Sequence, residues 1–458
     1  MRRSNKIISL ILVISLIFTM FPNQVFANEP ASTMPDVVGN TETLVKQELN
    51  IIGEIVDKRD KNVKHYLKDD NTYEAVIYPT AVHYKENGKW KDVDNTLTEQ
   101  MDMVENQQVL ENKDNSYKVK FAKNSNASKL VKIKKDGYEL SWGVENISAS
   151  VVQVKPKDNE ELSKLSANEQ KMTLTNISSS IDYKDVFPNV DLNYDILPEQ
   201  IKENIIIKSK TDNTVFRFKF NLTNLIPELL PNNTIVFYDA KDAKTKVFEI
   251  DAPYMFDAGN AESTDIKLQL EKGNDGKYIV TITPSKEWLN SDDRKYPVTV
   301  DPTVETSVNE PAKIHDAHVS ANYPTTNYDQ SFLLKTGTGS LSGDNRTYIS
   351  FDLPQLNASD LVIKAELSMA LAVTNDVAAG QVDVQKVESS WNQSTITWNN
   401  KPNINSNVED FEMVQGVWGQ RFIWDITNIA KEWYATKVNN GLALSNHVLS
   451  TGYNEYYS

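Results

Sequence analysis

The sequence predicts a mainly β protein: an amino-terminal all-β region followed by a jelly-roll-like β-sandwich, with one amphipathic helix near the mature N-terminus. From Tyr73 onward, short runs of β-branched and aromatic residues alternate with turn residues. Asn87-Gly88 and Asp136-Gly137 each separate two such runs. Both dipeptides accept positive φ values, so each predicts a tight hairpin between antiparallel strands.

Composition limits the classes of function. The chain has 458 residues, 40% of them hydrophobic and 24% charged, which predicts two or three soluble domains. The net charge of -15 argues against a nucleic-acid partner, because phosphate backbones are bound by basic surfaces. With no cysteine, neither disulfides nor thiolate chemistry is available.

Residues 1–27 have the pattern of a secretory signal peptide. Arg2 and Arg3 begin it, an apolar run follows over residues 7–21, and Ala27 ends a small-residue cleavage site. The apolar run is shorter than the roughly 20 residues that a membrane-spanning helix needs. We therefore expect a secreted, extracellular protein with no membrane association after signal cleavage.

The expected domains follow one another along the chain. Val45, Leu49, Ile52 and Val56 recur at helical spacing and predict the amphipathic helix. The predicted order is a signal peptide at 1–27, a polar lead with the helix at 28–70, an all-β region at 71–303, a linker at 304–311 and a β-sandwich at 312–458.

Residues 389–402 read SSWNQSTITWNNKP, a stretch of the second β-region that is rich in aromatic and polar residues. Strand alternation would put Thr395 and Thr397 on one face and Ile396 and Trp398 on the other. We expect Trp398 to fill the core with Ile396. Trp391 precedes the strand on a polar loop, where exposure is easier.

Several segments of the last third resemble a DNRLRE domain, grouped with carbohydrate-binding module family 96. They are HDAHVSANYPTTNYDQSFLLKTG from His315, DNRTYISFDLPQL from Asp344, AELSMALA from Ala365, VQKVESSWNQSTITWNNKP from Val384, WDITNIAKEW from Trp424 and GLALSN from Gly441. The resemblance implies a β-sandwich that binds polysaccharide or is a structural module. That family's sandwich usually has another strand after the position of Tyr456, so we expect the last strand to be missing.

The upstream region resembles the amino-terminal part of wall-associated, Rhs/YD-repeat proteins of Bacillus-type Gram-positive bacteria. The segments are AVHYKENGKWKDVDNTL from Ala81, FPNVDLNYDILPEQIKENIII from Phe187 and WLNSDDRKYPVTVDPT from Trp288. In that family this part precedes repeats and a toxin used in contact-dependent competition. Neither the repeats nor a toxin is recognisable in this sequence.

The candidate carbohydrate-binding residues are Trp391, Tyr323, Tyr328 and Arg346. Aromatic faces stack on the apolar faces of sugar rings, and arginine pairs with acidic groups. The alternatives are core packing for the aromatic residues and a structural ion pair of Arg346 with a carboxylate such as Asp316 or Asp425. The expected partner is a cell-wall or extracellular polysaccharide.

Aspartate oxygens offer a candidate structural calcium site, since calcium takes six to eight oxygen ligands. The candidates are Asp316, Asp344, Asp352 and Asp425. No EF-hand spacing is present, and no other cofactor is expected.

Catalytic motifs are not recognisable, so we expect no enzyme. The five histidines form no zinc-binding His-Glu motif, and there is no serine elbow or phosphate loop. Asp191 and Asp195 would share a strand face, where we expect a solvated surface. The sequence thus favours a secreted, wall-associated, non-catalytic polysaccharide-binding protein. The alternatives are a structural or delivery part of an Rhs-type toxin and a polysaccharide-degrading enzyme.

Overall fold

A computed structural model gives the fold of the protein. It describes residues 13–19, 49–155, 163, 166–212, 214–259, 261–308, 313–329, 331, 333–357, 360–374, 380–415, 420–447 and 452–457. The predicted fold class is confirmed: the described chain is mainly β, and its paired strands run antiparallel.

The strands before Pro79 are β1 (Val13–Thr19), β2 (Ile51–Glu54), β3 (Val63–Lys68) and β4 (Thr72–Ile77), with a short 3₁₀ helix at Val56–Lys58.

The strands that follow, up to residue 311, are β5 (His83–Glu86), β6 (Lys89–Asp92), β7 (Asp94–Asp102), β8 (Gln107–Asp114), β9 (Lys118–Ala122), β10 (Val131–Lys135), β11 (Tyr138–Val144), β12 (Gln153–Val154), β13 (Ser179–Phe187), β14 (Val190–Ile196), β15 (Gln200–Ile207), β16 (Phe216–Thr223), β17 (Leu225–Leu229), β18 (Ile235–Asp239), β19 (Lys246–Ile250), β20 (Tyr254–Asp257), β21 (Glu262–Ser263), β22 (Ile266–Lys272), β23 (Tyr278–Pro284), β24 (Val298–Asp301) and β25 (Val304–Glu305). Two short helices interrupt them, α1 (Ala167–Met172) and α2 (Lys286–Leu289).

The last strands are β26 (Ile314–Ser320), β27 (Leu333–Gly339), β28 (Gly343–Phe351), β29 (Leu361–Thr374), β30 (Gly380–Val387), β31 (Ile404–Val414), β32 (Arg421–Asp425), β33 (Leu442–Asn446) and β34 (Tyr453–Tyr457), with helix α3 (Thr427–Thr436) after β32.

The chain forms two compact units that do not follow one another linearly. The terminal unit comprises Met1–Pro79, Leu162–Thr173 and Ala312–Ser458, and the central unit comprises Thr80–Glu161 and Leu174–Pro311. The sandwich therefore includes segments from well before residue 312. Val304–Glu305, at the start of the expected linker, forms β25 of the central unit.

The terminal unit has one sheet in the order β2-β3-β4-β1-β29-β34-β27-β28-β33-β30-β31, with β26 on β28 and β32 on β29. Its core combines residues from β4, such as Tyr73, with Leu367 of β29, Trp424 of β32 and Trp433 of α3. The amphipathic face of α3, with Ile429 buried beside Trp433, explains why this helix packs onto the sheet.

The structure differs from two expectations for the amino-terminal segment. Within the expected leader, Val13–Thr19 is strand β1, paired with β4 and β29, and the rest of 1–27 lies outside the described residues. The prediction of an amphipathic helix is wrong for the part of this segment that the structure describes, because Ile51–Glu54 is strand β2. The backbone N–H of Ile51 donates to Asn168 Oδ1 of α1 at 2.9 Å, and β2 pairs with β3. An isolated short helix is marginally stable in water, so the hydrogen bonds of the sheet are favoured over it.

The central unit builds its core between two antiparallel sheets. One has the order β22-β23-β16-β11-β10-β9-β8-β7, and the other the order β12-β13-β14-β15-β25-β19-β18-β17, with β24 joining β15 to β20. Trp142, Tyr183 and Tyr194 are fully buried there. Both predicted hairpins are confirmed, with positive φ at Asn87 and Gly88 and at Asp136 and Gly137.

Candidate functional site

One face of the terminal unit's sheet carries most of the candidate residues. Across β26, β28, β33, β30 and β31 the register places Ala317, Tyr348, Ala443, Gln385 and Val408 in one row. Cross-strand neighbours point to the same side of a sheet, so these residues define one face, here called the outer face. The opposite side carries residues of the main core, such as Ile349 and Leu444.

A loop covers about half of the outer face. This covering loop, residues 388–403, joins β30 to β31 and places Ile396, 2% exposed, against Val387, Tyr348 and Ala317. Trp391 and Trp398 are partly buried at the edge of the same small cluster. The loop is thus a lid over a second, minor core.

The strand expected at residues 395–398 was wrong, because the segment is a loop of turns. Its asparagines replace the ladder hydrogen bonds with local ones. Asn400 Oδ1 accepts from the backbone N–H of Thr397 at 2.6 Å, and Asn400 Nδ2 donates to the Thr395 carbonyl at 2.8 Å. Asparagine offers the backbone such alternatives to a sheet, which outweighed the alternation of threonine and apolar residues.

Trp391 is held in place but keeps part of its ring accessible. Its Nε1 donates to the Asn440 carbonyl at 3.0 Å, and its ring meets that of Tyr348 edge-on at 5.9 Å. The hydroxyl of Tyr348 in turn donates to the Pro402 carbonyl at 3.2 Å. Trp391 therefore stabilises the covering loop, and the exposed part of its ring lies at the edge of the minor core.

Two cations lie close to the ring of Trp398. Lys401 Nζ is 3.7 Å from the centre of its ring and Arg346 Cζ is 5.4 Å away. Arg346 Nε lies 3.5 Å from Asp344 Oδ2, so its carboxylate neighbour is Asp344 and not the suggested Asp316 or Asp425. Burial raises the pKa of Asp344, while burial and Arg346 lower the pKa of Lys401. The result is a small cationic patch on an acidic protein.

The loop that follows β26 and contains Tyr323 and Tyr328, here called the tyrosine loop, is hydrogen-bonded to the covering loop. Asn327 Nδ2 donates to the carbonyls of Gln393 and Ile396 at 2.8 and 2.7 Å. Tyr323 is 48% exposed, whereas Tyr328 is partly buried and stacks on His318 at 4.3 Å. Burial lowers the pKa of His318 to about 3, so this imidazole is a neutral support for the loop. The structure thus brings Tyr323, Tyr328, Trp391 and Arg346 to neighbouring loops and strands.

The four aspartates considered for calcium do not meet. They are Asp316, Asp344, Asp352 and Asp425, and no three of them have carboxylate oxygens within 4.8 Å of one another. Asp352 is paired with Lys313 at 2.9 Å. Asp425 accepts from the backbone N–H of Thr427 at 2.8 Å, at the start of α3.

Sequence reasoning missed the uncovered half of the outer face. Phe411 and Met413 of β31 are 51% and 49% exposed there, beside Gln381, Asp383 and His447. A signal was present in the strand GQVDVQKV, where polar residues alternate with buried valines. The sequence did not show which face of this strand the covering loop leaves open.

In the central unit, Asp191 and Asp195 are buried, 5% and 7% exposed, and the expected solvated surface was wrong. Lys208 pairs with Asp191 at 2.8 Å, and Asn204 donates to Asp195 at 3.2 Å. Four residues along a strand span about 13 Å. This exceeds the roughly 6.5–9.5 Å between the carboxyl groups of an inverting glycosidase, so the two aspartates do not form such a pair.

Comparison with known proteins identifies the last third of the chain. Residues 308–458 match the model of Carbohydrate-binding module family 96. This region includes the outer face, the covering loop and the tyrosine loop. Among the described residues no helix is both long enough and apolar enough to cross a membrane.

Nearly the whole chain is similar to Bacillus WapA proteins. It is 27% identical to the "tRNA3(Ser)-specific nuclease WapA" of Bacillus spizizenii, over 97% of this chain and 19% of the relative. The "tRNA nuclease WapA" of Bacillus subtilis (strain 168) matches with the same identity and coverage. The "Wall-associated protein" of Geobacillus stearothermophilus is 25% identical over 48% of this chain and 82% of its own length. The chain therefore spans about a fifth of the WapA relatives.

These relatives correct the expectation that the protein is not an enzyme. The proteins that match nearly the full chain are named as tRNA nucleases, so the assignment as a non-enzyme is overturned. The expectation rested on missing catalytic motifs, although the resemblance to Rhs-type proteins had offered part of a toxin as an alternative. The chain is thus similar to wall-associated and nuclease proteins, and its last third to a carbohydrate-binding module.

Proposed function

We propose that this protein is secreted and wall-associated, and that its residues 308–458 bind a cell-surface polysaccharide. The match to a carbohydrate-binding module family supports the ligand class, and the relative named as a wall-associated protein supports the location. The finer resemblance, to a DNRLRE domain of an Rhs-type protein, belongs to the same proposal.

The observation that carries the proposal is the surface formed by the tyrosine loop and the covering loop. Tyr323 offers an exposed ring, and Arg346 and Lys401 lie close to the ring of Trp398. Sugars present apolar ring faces to aromatic residues, and acidic sugars present anions to arginine and lysine. Trp391 and Tyr328 complete the surface, Trp391 by its partly accessible ring and Tyr328 by holding the loop on His318. An acidic polysaccharide is the favoured ligand.

Binding of the full chain to purified wall polysaccharide tests this proposal. Tyr323→Ala should weaken binding about fivefold, since an aromatic contact contributes roughly 1 kcal/mol. Trp391→Phe keeps most of the packing of the covering loop and should weaken binding less. Val438→Ala, at a site 55% exposed and outside the tyrosine and covering loops, is the control and should bind normally. Unchanged binding by both aromatic variants would rule out this surface.

Secretion and calcium are further parts of the proposal. Mass spectrometry of the extracellular protein should find a chain that begins near Asn28, without Val13–Thr19. Detection of an extracellular protein that still begins at Met1 would contradict the predicted signal peptide. Calcium at one or more of the four aspartates predicts a higher melting temperature with Ca²⁺ than with a chelator, and equal temperatures would exclude a stabilising site.

A nuclease toxin is the second candidate function, and the names of the WapA relatives favour it. In this proposal the chain combines wall association and polysaccharide binding with cleavage of tRNA. Incubation of the full chain with bacterial tRNA and Mg²⁺ tests whether cleavage occurs. Intact tRNA after long incubation would argue against this candidate for these 458 residues.

A further inference from the structure

The uncovered half of the outer face has an apolar edge. In the register of β30 and β31, Met413 lies opposite Gln381, Phe411 opposite Asp383 and Val408 opposite Gln385. The three β31 side chains are 49%, 51% and 37% exposed. An edge strand with three neighbouring exposed apolar side chains on one face is uncommon, because such strands invite aggregation.

A rigid polar row lies directly beside this edge. Asp383 is 3% exposed, and its two oxygens accept from Gln381 Nε2 at 2.8 Å and bind His447 Nδ1 at 2.7 Å. Ser445, which lies opposite Asp383, donates to Oε1 of Gln385 in the next row at 2.8 Å. The buried carboxylate therefore fixes His447 and Gln381, and leaves the second ring nitrogen of His447 and the amide oxygen of Gln381 for another partner.

The two rows together suit a sugar more than a protein strand. A pyranose has an apolar ring face and a rim of hydroxyl groups, which match an exposed phenylalanine beside positioned donors and acceptors. An added peptide strand would instead need the backbone edge of β31. The end of β32 and the start of α3 lie beside this edge, since the side-chain carboxylates of Glu409 and Asp410 accept from the backbone N–H groups of Asn428 and Asp425.

We propose that Phe411, Met413, Gln381 and His447 form a second polysaccharide contact, which binds an internal stretch of a glycan chain. This inference rests on the proposed function and extends it from the loops to the sheet face. Phe411 stacks on a sugar ring, and His447 and Gln381 bind its hydroxyl groups. Asp383 is a positioning residue that holds His447 without touching the ligand.

The location of the contact predicts the length of the ligand. Strands in a sheet lie about 4.8 Å apart, so β31 and β28 are about 14 Å from each other across β33 and β30. Arg346 lies on the outer face at the β28 end and is partly exposed, whereas Tyr348 on the same strand is fully buried beneath the covering loop. A chain of several sugars can therefore contact both ends, whereas a monosaccharide reaches one.

Binding of the full chain to wall sacculi and to polygalacturonate, with size-fractionated oligomers of the latter, tests the inference. Phe411→Ala should weaken binding of long chains about tenfold, which corresponds to about 1.4 kcal/mol, and should change binding of short oligomers less. Asp383→Asn should weaken binding more at long than at short lengths and leave the melting temperature nearly unchanged. Ile423→Ala, at a site 46% exposed on β32, is the matched control and should bind as the unaltered chain does.

The outcomes separate this inference from the proposed function. If Tyr323→Ala weakens binding and Phe411→Ala does not, the loop surface stands and the sheet-face contact is refuted. If the unaltered chain binds neither sacculi nor polygalacturonate, both are refuted. If affinity is independent of oligomer length, the ligand does not extend across the face and the inference fails.

Discussion

A buried glutamate should make the stability of the central unit fall as the pH rises. Glu203 of β15 is 4% exposed and points into the core, where Tyr194 Oη donates to its Oε1 at 2.8 Å. Burial raises the pKa of Glu203 to about 8 from a usual 4.5. The folded unit therefore holds a proton that the unfolded chain releases at lower pH.

The sign and magnitude of the pH dependence follow from the difference between the folded and unfolded pKa values of Glu203. A carboxyl whose pKa is raised on folding contributes its full stability below the unfolded pKa and loses it as the pH rises towards the folded pKa. Between pH 5.5 and 8.5 the loss from Glu203 is about 3 kcal/mol, at about 1.4 kcal/mol for each pH unit inside the window. Glu203→Gln keeps an acceptor for Tyr194 and has no charge to bury.

Denaturant unfolding of both proteins at the two pH values measures the effect. The stability of Glu203→Gln relative to the unaltered protein should rise by about 3 kcal/mol from pH 5.5 to pH 8.5. Burial also raises the pKa values of Asp251 and Glu305, but these groups are present in both proteins. Glu271→Gln, an exposed position, is the control. A stability difference that does not change with pH would refute the reasoning.

Two further predictions concern backbone geometry and a buried ion pair. Gly441→Ala should prevent stable folding of the terminal unit, because φ is +84° and an added Cβ would clash with the Ile349 carbonyl oxygen. The control Gly276→Ala has a similar φ of +78° but open space around the added Cβ, so it should cost about 1 kcal/mol. Equal melting temperatures of the two variants would contradict this prediction. Asp102→Asn should destabilise the central unit by about 3 kcal/mol at neutral pH, since it removes the carboxylate 2.7 Å from Lys132, which is 4% exposed and keeps only the more distant Glu105 at 3.6 Å. Burial alone would raise the pKa of Asp102, but Lys132 and two backbone N–H groups hold it below its usual value, so this stability is lost as the pH falls, and the variant should lack that acid dependence in unfolding experiments.

Local turn chemistry was the part of the fold that the sequence predicted best. Asn87-Gly88 and Asp136-Gly137 form hairpins as expected, because few residues other than asparagine, aspartate and glycine accept positive φ. The expected strand around Ile396 failed for a related reason, since Asn392 and Asn400 bond the backbone locally. Alternation in a short segment does not show whether hydrogen bonds will come from a neighbouring strand or from side chains.

Long-range organisation could not be read from the sequence. The spacing of Leu49, Ile52 and Val56 fits a helix, but the segment pairs as β2 because β3 and Asn168 offer hydrogen bonds from elsewhere in the chain. The same limit applies to the site. Tyr323 is exposed in its loop, whereas Phe411 was missed because only the fold shows where the covering loop ends.

The most direct test of the account is equilibrium binding of the full chain to purified wall polysaccharide. We predict saturable binding that is weaker in Tyr323→Ala and in Phe411→Ala and unchanged in Ile423→Ala. Failure of the unaltered chain to bind any wall polymer, or equal binding by all three variants, would contradict it.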